Sequence, residues 1–341
     1  MRTTSNRYSF LLLGTALLCS LLLNVSLGSV NIPFKALLNI LSGEASNESW
    51  SYIIWDYRLP KAFTAILVGS GLGISGLLMQ TLFRNPLAGP FVLGISSGAS
   101  LGAALLLLGG TLLSGGTAFY LVNDLTVILA ASIGSFIVLF AVILVATRIR
   151  DTMALLIIGL MFGSITAAMV SVLSYFSSAE QLQQFIFWSF GSVGNLSWNQ
   201  VALLSGIVIL GTSLGVLSIK ALNALLLGEH YAQSMGIRLK KTRYLILAAA
   251  GLLAGGITAF AGPIAFVGLA VPHLARQLFN TNDHKILIPA VFLYGAILML
   301  LCDAVAQLPG SASVLPINAI TSIIGAPVVI WLLLRKRNIV F

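Results

Sequence analysis

The sequence predicts an all-α, polytopic membrane protein of about ten transmembrane helices, and three observations carry that reading. Hydrophobic residues make up 58% of the 341 and charged residues only 8%. The mean hydropathy is +1.02. Apolar runs of about 20 residues recur along the whole length, each long enough to cross a bilayer as a helix. No polar block of tens of residues separates these runs, so residues 1–341 are read as one integral domain.

The first run, 8 to 28, follows Arg2 and Arg7 and so has the outline of a signal peptide. No small-x-small cleavage site follows it, and Leu18 precedes Cys19 where a lipoprotein signal needs a small residue, so it is read as the first spanning helix. The second run, 61 to 83, contains "GLGISG", Gly71 to Gly76, a letter-for-letter match to the dinucleotide motif GxGxxG. That motif works after a strand, opening a helix, with an acid about 20 residues on; here it sits inside an apolar run with no acid until Asp124. Close helix packing is the better account, since Gly69 and Gly73, and Leu72 and Gly76, stand four apart.

The third run, 91 to 113, follows "RNPLAGP", whose two prolines limit helix continuation. The fourth and fifth, 124 to 147 and 152 to 176, flank a short basic turn where Asp151 is placed to pair with Arg148 or Arg150. Gly159, Gly163 and Ala167 repeat the small-residue spacing in the fifth. The sixth, 199 to 219, follows "SSAEQLQQFIFWSFGSVGNLSW", whose Trp188 and Trp198 suit a membrane-interface belt. The seventh and eighth, 244 to 262 and 263 to 279, touch at Gly262 and Pro263; the ninth and tenth cover 287 to 306 and 316 to 334.

Ten spans put both termini on one side. With the termini inside, fifteen cations (Arg2, Arg7, Arg84, Arg148, Arg150, Lys220, Arg238, Lys240, Lys241, Arg243, Arg276, Lys285, Arg335, Lys336, Arg337) fall on the cytoplasmic side and three (Lys35, Arg58, Lys61) outside. The net charge of +9 is therefore a positive-inside signal and needs no nucleic acid.

Catalytic and ligand motifs are sparse. Cys19 and Cys302 lie in apolar runs without metal-ligand spacing, and HExxH, GxSxG and Walker A sequences are absent, so no metal site or nucleotide hydrolysis is expected in this chain. Asp303, near the outer end of the ninth run, has no evident partner, and His273 with Arg276 reads as a hydrogen-bonding or interfacial pair. An ion-gradient carrier would want a midplane acid pair, and an intramembrane enzyme a metal or nucleophile signature; neither is present. The driving force must come from outside the chain, which directs attention to residues 221–243. There "LLLGEHYAQSMGI" reads as a short amphipathic helix: Leu226, Ala232 and Met235 form one face, Glu229, His230 and Gln233 surround it, and Gly236 caps it. The basic "RLKKTR" follows.

Five stretches together resemble one family, the ferric-siderophore, heme and cobalamin permeases of bacterial ATP-binding-cassette importers: "YRLPKAFTAILVGSGLGISGLLMQTLFRNPLAGPFVLGISSGASLGAA", "LLLGEHYAQSMGI", "AGPIAFVGLAVPHLAR", "DHKILIPA" and "LPINAITSIIGAPVVIWLLLRKR". The resemblance implies a type II importer permease fold in the inner membrane, working as a homodimer or with a close homologue. Two cytoplasmic ATPase subunits would bind the ATP, and a periplasmic or lipid-anchored binding protein would deliver a ferric siderophore, heme or cobalamin, with siderophore the commonest cargo. It implies ATPase coupling through Leu227, Gly228, Glu229, His230, Ala232, Gln233, Met235 and Gly236, and binding-protein docking through Arg58 and Lys61. A translocation path is implied along Met161, Ser164, Ala168, Ser171 and Ser322. Departures from the family pattern stand at Gly89, where an acid is usual, at Gln307, where a third basic residue is expected, and at Val314 to Asn318. Finally, "GPFVLG" and "GPIAFVG" follow oppositely running helices and hint at an inverted repeat.

Overall fold

A computed structural model describes residues 2–44, 47–109, 123–149, 151–307 and 313–334, and helices are its only regular elements among them. The chain opens with α1 (Arg2–Ser26), followed by short α2 (Phe34–Leu41) and α3 (Glu48–Tyr52). A π-helical turn (Ile53–Arg58) joins α3 to α4 (Leu59–Leu82). The π register follows from Pro60, which has no N–H to give back along the helix; the N–H of Leu59 reaches five residues back to the Ile54 carbonyl.

Helix α4 is the hub. It is buried nearly all round from Thr64 to Leu82, which only glycines, serines and alanines permit in lipid, where close backbone approach and hydrogen bonds replace the hydrophobic effect as helix glue. A Cβ on Gly69 would lie 2.0 Å from the Gly295 carbonyl oxygen, and one on Gly76 would lie 1.7 Å from that of Gly268. The hydroxyls of Ser70 and Ser75 donate across to the carbonyls of Phe292 and Ala250, both at 2.8 Å.

After α4 come a 3₁₀ turn (Pro90–Leu93), α5 (Ile95–Leu107), α6 (Asp124–Arg148) and α7 (Thr152–Tyr175). The third predicted span thus starts late: Pro90 opens a 3₁₀ turn and Gly94, at φ 73°, resets the chain before α5. Residues 110–113 of that prediction lie outside the described residues, as do Arg150, Arg335, Lys336 and Arg337. Asp151 does not pair with Arg148; its carboxylate accepts from the Met153 N–H at 2.9 Å and caps α7, one of the free donors every helix start presents. Gly159 packs against the 3₁₀ turn, where a Cβ would meet the Val92 carbonyl at 2.7 Å.

Next follow α8 (Ala179–Ser189), α9 (Trp198–Leu217), α10 (Ile219–Leu225), α11 (Glu229–Ser234), α12 (Leu239–Ala261), α13 (Val267–Phe279), α14 (His284–Ala306) and α15 (Ile317–Leu334). The seventh and eighth predicted spans do not touch. Gly262 (φ 73°) ends α12, and a half-buried loop runs to Phe266, itself left-handed at φ 64°, before α13 starts. Both α5 and α13 are 13-residue helices entered through a left-handed residue after a Gly-Pro turn. A helix occupies part of each of the ten predicted runs, and among the described residues seven helices are long and apolar enough to cross a membrane; α5 and the described apolar part of α15 are shorter. Helices α9, α12, α13 and α14 surround α4, α1 flanks α14, and α5 joins α6 and α7 to one side.

Candidate functional site

Residues 221–243 form an elbow between two spans. Gly228, at φ 109°, breaks the chain after α10, a geometry L side chains resist. Six residues of α11 follow, and the helix ends in a Schellman motif: the N–H of Gly236 (φ 82°) donates to Gln233 and that of Ile237 to Ala232. The Gly236 cap is thus where the sequence put it.

The predicted apolar face is not. Ala232 is fully buried against the protein, Leu226 is half-buried, and Met235 points outward at 60% exposure. The reason is the brevity of α11: Met235 sits at its C-cap, beyond the helical period. Leu227 and Tyr231, 64% and 50% exposed, complete an outward stripe at four-residue spacing, with His230 and Gln233 also exposed. These three are the large apolar side chains that the elbow exposes. The carboxylate of Glu229, still substantially exposed, lies 2.9 Å from the guanidinium of the buried Arg243, tying α11 to the first turns of α12.

The elbow is anchored by a network that sequence reading missed. The Asn223 amide on α10 donates to Asp283 at 2.7 Å, and its oxygen accepts the N–H of His284 at 2.9 Å and faces His284 Nδ1 at 2.7 Å. On the other side of the ring, Nε2 lies 2.8 Å from the hydroxyl of Thr81 on α4, which is also within hydrogen-bond distance of the Leu77 carbonyl at 2.9 Å. Burial pushes the Asp283 carboxyl up, but the Lys285 N–H and the Asn223 amide outweigh it and hold the group below the ordinary aspartate range. His273 and Arg276 do not bond each other as a pair. His273 reaches the Pro86 carbonyl (3.0 Å) and Arg276 the Gln80 side chain (2.6 Å), so α13 grips the end of α4 and the "NPLAGP" turn.

At the opposite end, the guanidinium of Arg58 is buried and donates to the carbonyls of Val25, Ser26 and Val30, satisfying the end of α1. Asp303 does have a partner: Lys61 Nζ lies 3.1 Å from its Oδ1, and the amides of Asn24 and Gln307 donate to Oδ2 at 2.9 and 2.8 Å. The Lys61 side chain is 18% exposed against 3% for Asp303, so the lysine is the accessible member. Arg58, Lys61, Asp303 and Gln307 line a cavity of about 660 Å³ together with Phe187 and Phe190.

Met161, Ser164, Ala168 and Ser171 recur at three- and four-residue intervals along one exposed face of α7, while Ser322 lies half-buried on α15, which packs on α13 and α14. The three serine hydroxyls donate to carbonyls one turn back in their own helices (Leu160, Ala167 and Asn318), leaving little unmet hydrogen bonding on either surface. Groups of three or more metal-ligating side chains are absent among the described residues.

Residues 16–335 match the model of the FecCD transport family. The chain is 38% identical over 324 residues (94% of this chain and 92% of the relative) to the vitamin B12 import system permease protein BtuC of Klebsiella pneumoniae. It is 34% identical over 332 residues, 96% of each chain, to the hemin transport system permease protein HmuU of Yersinia pestis. Among solved structures it resembles a metal-chelate type ABC transporter in an inward-facing conformation, with a TM-score of 0.83 and 29% identity over 97% of this chain and 99% of that one.

Proposed function

The chain belongs to the FecCD transport family, and from that premise we propose that it is the membrane permease subunit of an ATP-binding-cassette importer that carries a metal chelate inward across the bacterial inner membrane. The observation that carries the mechanism is the set of outward apolar side chains Leu227, Tyr231 and Met235, the last two carried on the short segment bounded by Gly228 and Gly236.

In this reading the membrane is crossed ten times with both termini cytoplasmic, and the elbow docks in a cleft of a separate ATPase. Closure of two ATPase subunits on ATP pushes α11. The Glu229–Arg243 pair and the Asn223–His284–Thr81 network pass the displacement into α12, α14 and the hub α4. Two permease subunits, identical or homologous, frame the path, whose wall is the α7 face of Met161, Ser164, Ala168 and Ser171 together with Ser322. A wall whose hydroxyls are already satisfied holds a bulky chelate weakly and lets it leave. The binding protein meets the outer mouth, where Lys61 is the accessible cation and Arg58 acts by fixing the end of α1 to the turn at Val30. The cargo proposed first is a ferric siderophore. Heme and cobalamin are tested beside it because the relatives' names refer to those two.

Reconstitution of the permease with its ATPase and binding protein in liposomes tests the reading. ATP hydrolysis should rise with the loaded binding protein, and Glu229→Arg or Gly236→Trp should uncouple hydrolysis from uptake while the chain still inserts. Normal uptake by both variants would reject the coupling role of the elbow.

A further inference from the structure

We propose that a second cavity, beside the elbow, is a binding site for the phosphate headgroup of an anionic phospholipid. The cavity is about 620 Å³, lies between the end of α6, α11 and the start of α12, and is lined by Arg148, Arg238, Lys240 and Arg243. Glu229 is the one carboxylate among its lining residues, and it is engaged by Arg243. Arg148, Arg238 and Lys240 are exposed at its rim and have no ion-pair partner among the described residues. Converging like charges repel unless an anion enters between them.

The same wall contains the N-terminus of α12, a 23-residue helix with no side-chain cap, no acid in its first turn, and Lys240 and Lys241 where the helix dipole favours negative charge. Lysines there add positive charge to a positive end, and a phosphate accepting the free N–H groups relieves both.

Position selects lipid over soluble phosphate. Arg148 closes one membrane span and Leu239 opens another, so the cavity lies at a membrane–water boundary. On α6, Phe140 and Leu144 precede Arg148 at four-residue spacing and are 64% and 50% exposed, an apolar track for an acyl chain leading up to the cations. Basic pockets between spans at this level suit anionic headgroups.

The test is lipid titration of the delipidated full chain in neutral detergent, followed by native mass spectrometry. Dioleoylphosphatidylglycerol should bind more tightly than dioleoylphosphatidylcholine, and Arg238→Gln/Lys240→Gln should weaken the former roughly thirty-fold while leaving the latter unchanged. Arg148→Gln, on a different helix, should weaken it several-fold and serves as the readout if the double variant unfolds. Equal affinity for the two lipids, or retention of the preference in the variants, overturns the proposal. Displacement of the lipid by millimolar inorganic phosphate assigns the cavity to a soluble anion, and displacement by the assembled ATPase assigns it to the partner protein; either result also overturns it.

Discussion

Gly76→Ala is the sharpest test of how this bundle is held together. The added methyl carbon would stand 1.7 Å from the Gly268 carbonyl oxygen and 2.5 Å from its carbon. A carbon–oxygen contact needs roughly 3.3 Å, so α4 and α13 must part by about 1.6 Å. Both sides of the clash are backbone, and no rotamer relieves it. Overpacking of this kind costs about 1–3 kcal/mol, and the absence of any flexible partner places this site at about 3 kcal/mol. At roughly 2.1 cal/mol/K of unfolding entropy per residue, a chain of 341 residues then melts about 4 °C lower. Gly206→Ala on α9 is the matched control: it has nothing within 4 Å, and it gains about 1 kcal/mol of helix propensity. Scanning fluorimetry of the two purified variants in one detergent compares them directly. If Gly76→Ala melts with the parent chain, close glycine contact is not what seats α13 on α4.

Two further outcomes follow from the buried polar groups. Asp303→Asn leaves Lys61 without its counter-charge and should destabilise the chain by about 2–4 kcal/mol, toward the lower end because the lysine is partly solvated, with Asp303→Asn/Lys61→Met recovering part of the loss in the same melting assay. Because the Asp283 carboxyl is held below its unfolded range, its contribution is complete above that range and is lost as pH falls through it; Asp283→Asn should flatten the pH dependence of melting between about pH 5 and about pH 3.

What was legible in the sequence divides by range. Apolar run length placed a helix in every predicted span, because the bilayer forces backbone bonds to close within each segment. The "GLGISG" letters read correctly as packing: Gly71 faces Ile257, Gly73 faces Val291 and Val271, and Gly76 faces Gly268, three approaches to three helices. The Gly236 cap of the elbow was also legible, since positive φ has a local residue signature. Long-range pairing was not. Asp303 and Lys61, or Thr81 and His284, are joined by the arrangement of helices around α4, and no local pattern announces it. The direction of Met235 escaped because a six-residue helix ends before its period repeats. Span starts at Pro90 and Gly262 slipped because apolar turn residues look like helix to hydropathy alone.

The bond between Asn24 and Asp303 joins residues 279 positions apart in the chain. At roughly 5–20 residues per second, a ribosome delivers the acceptor between about 14 and about 56 seconds after the donor. Throughout that interval α1 has been made but its seat against α14 has not. The first helix must wait in the lipid with the polar amide of Asn24 still open, and only roughly the last sixth of translation, from His284 on, closes the bundle over it. Biogenesis of this permease therefore includes a waiting period for its oldest segment, and a ribosome stalled before residue 303 leaves that segment anchored but unlocked.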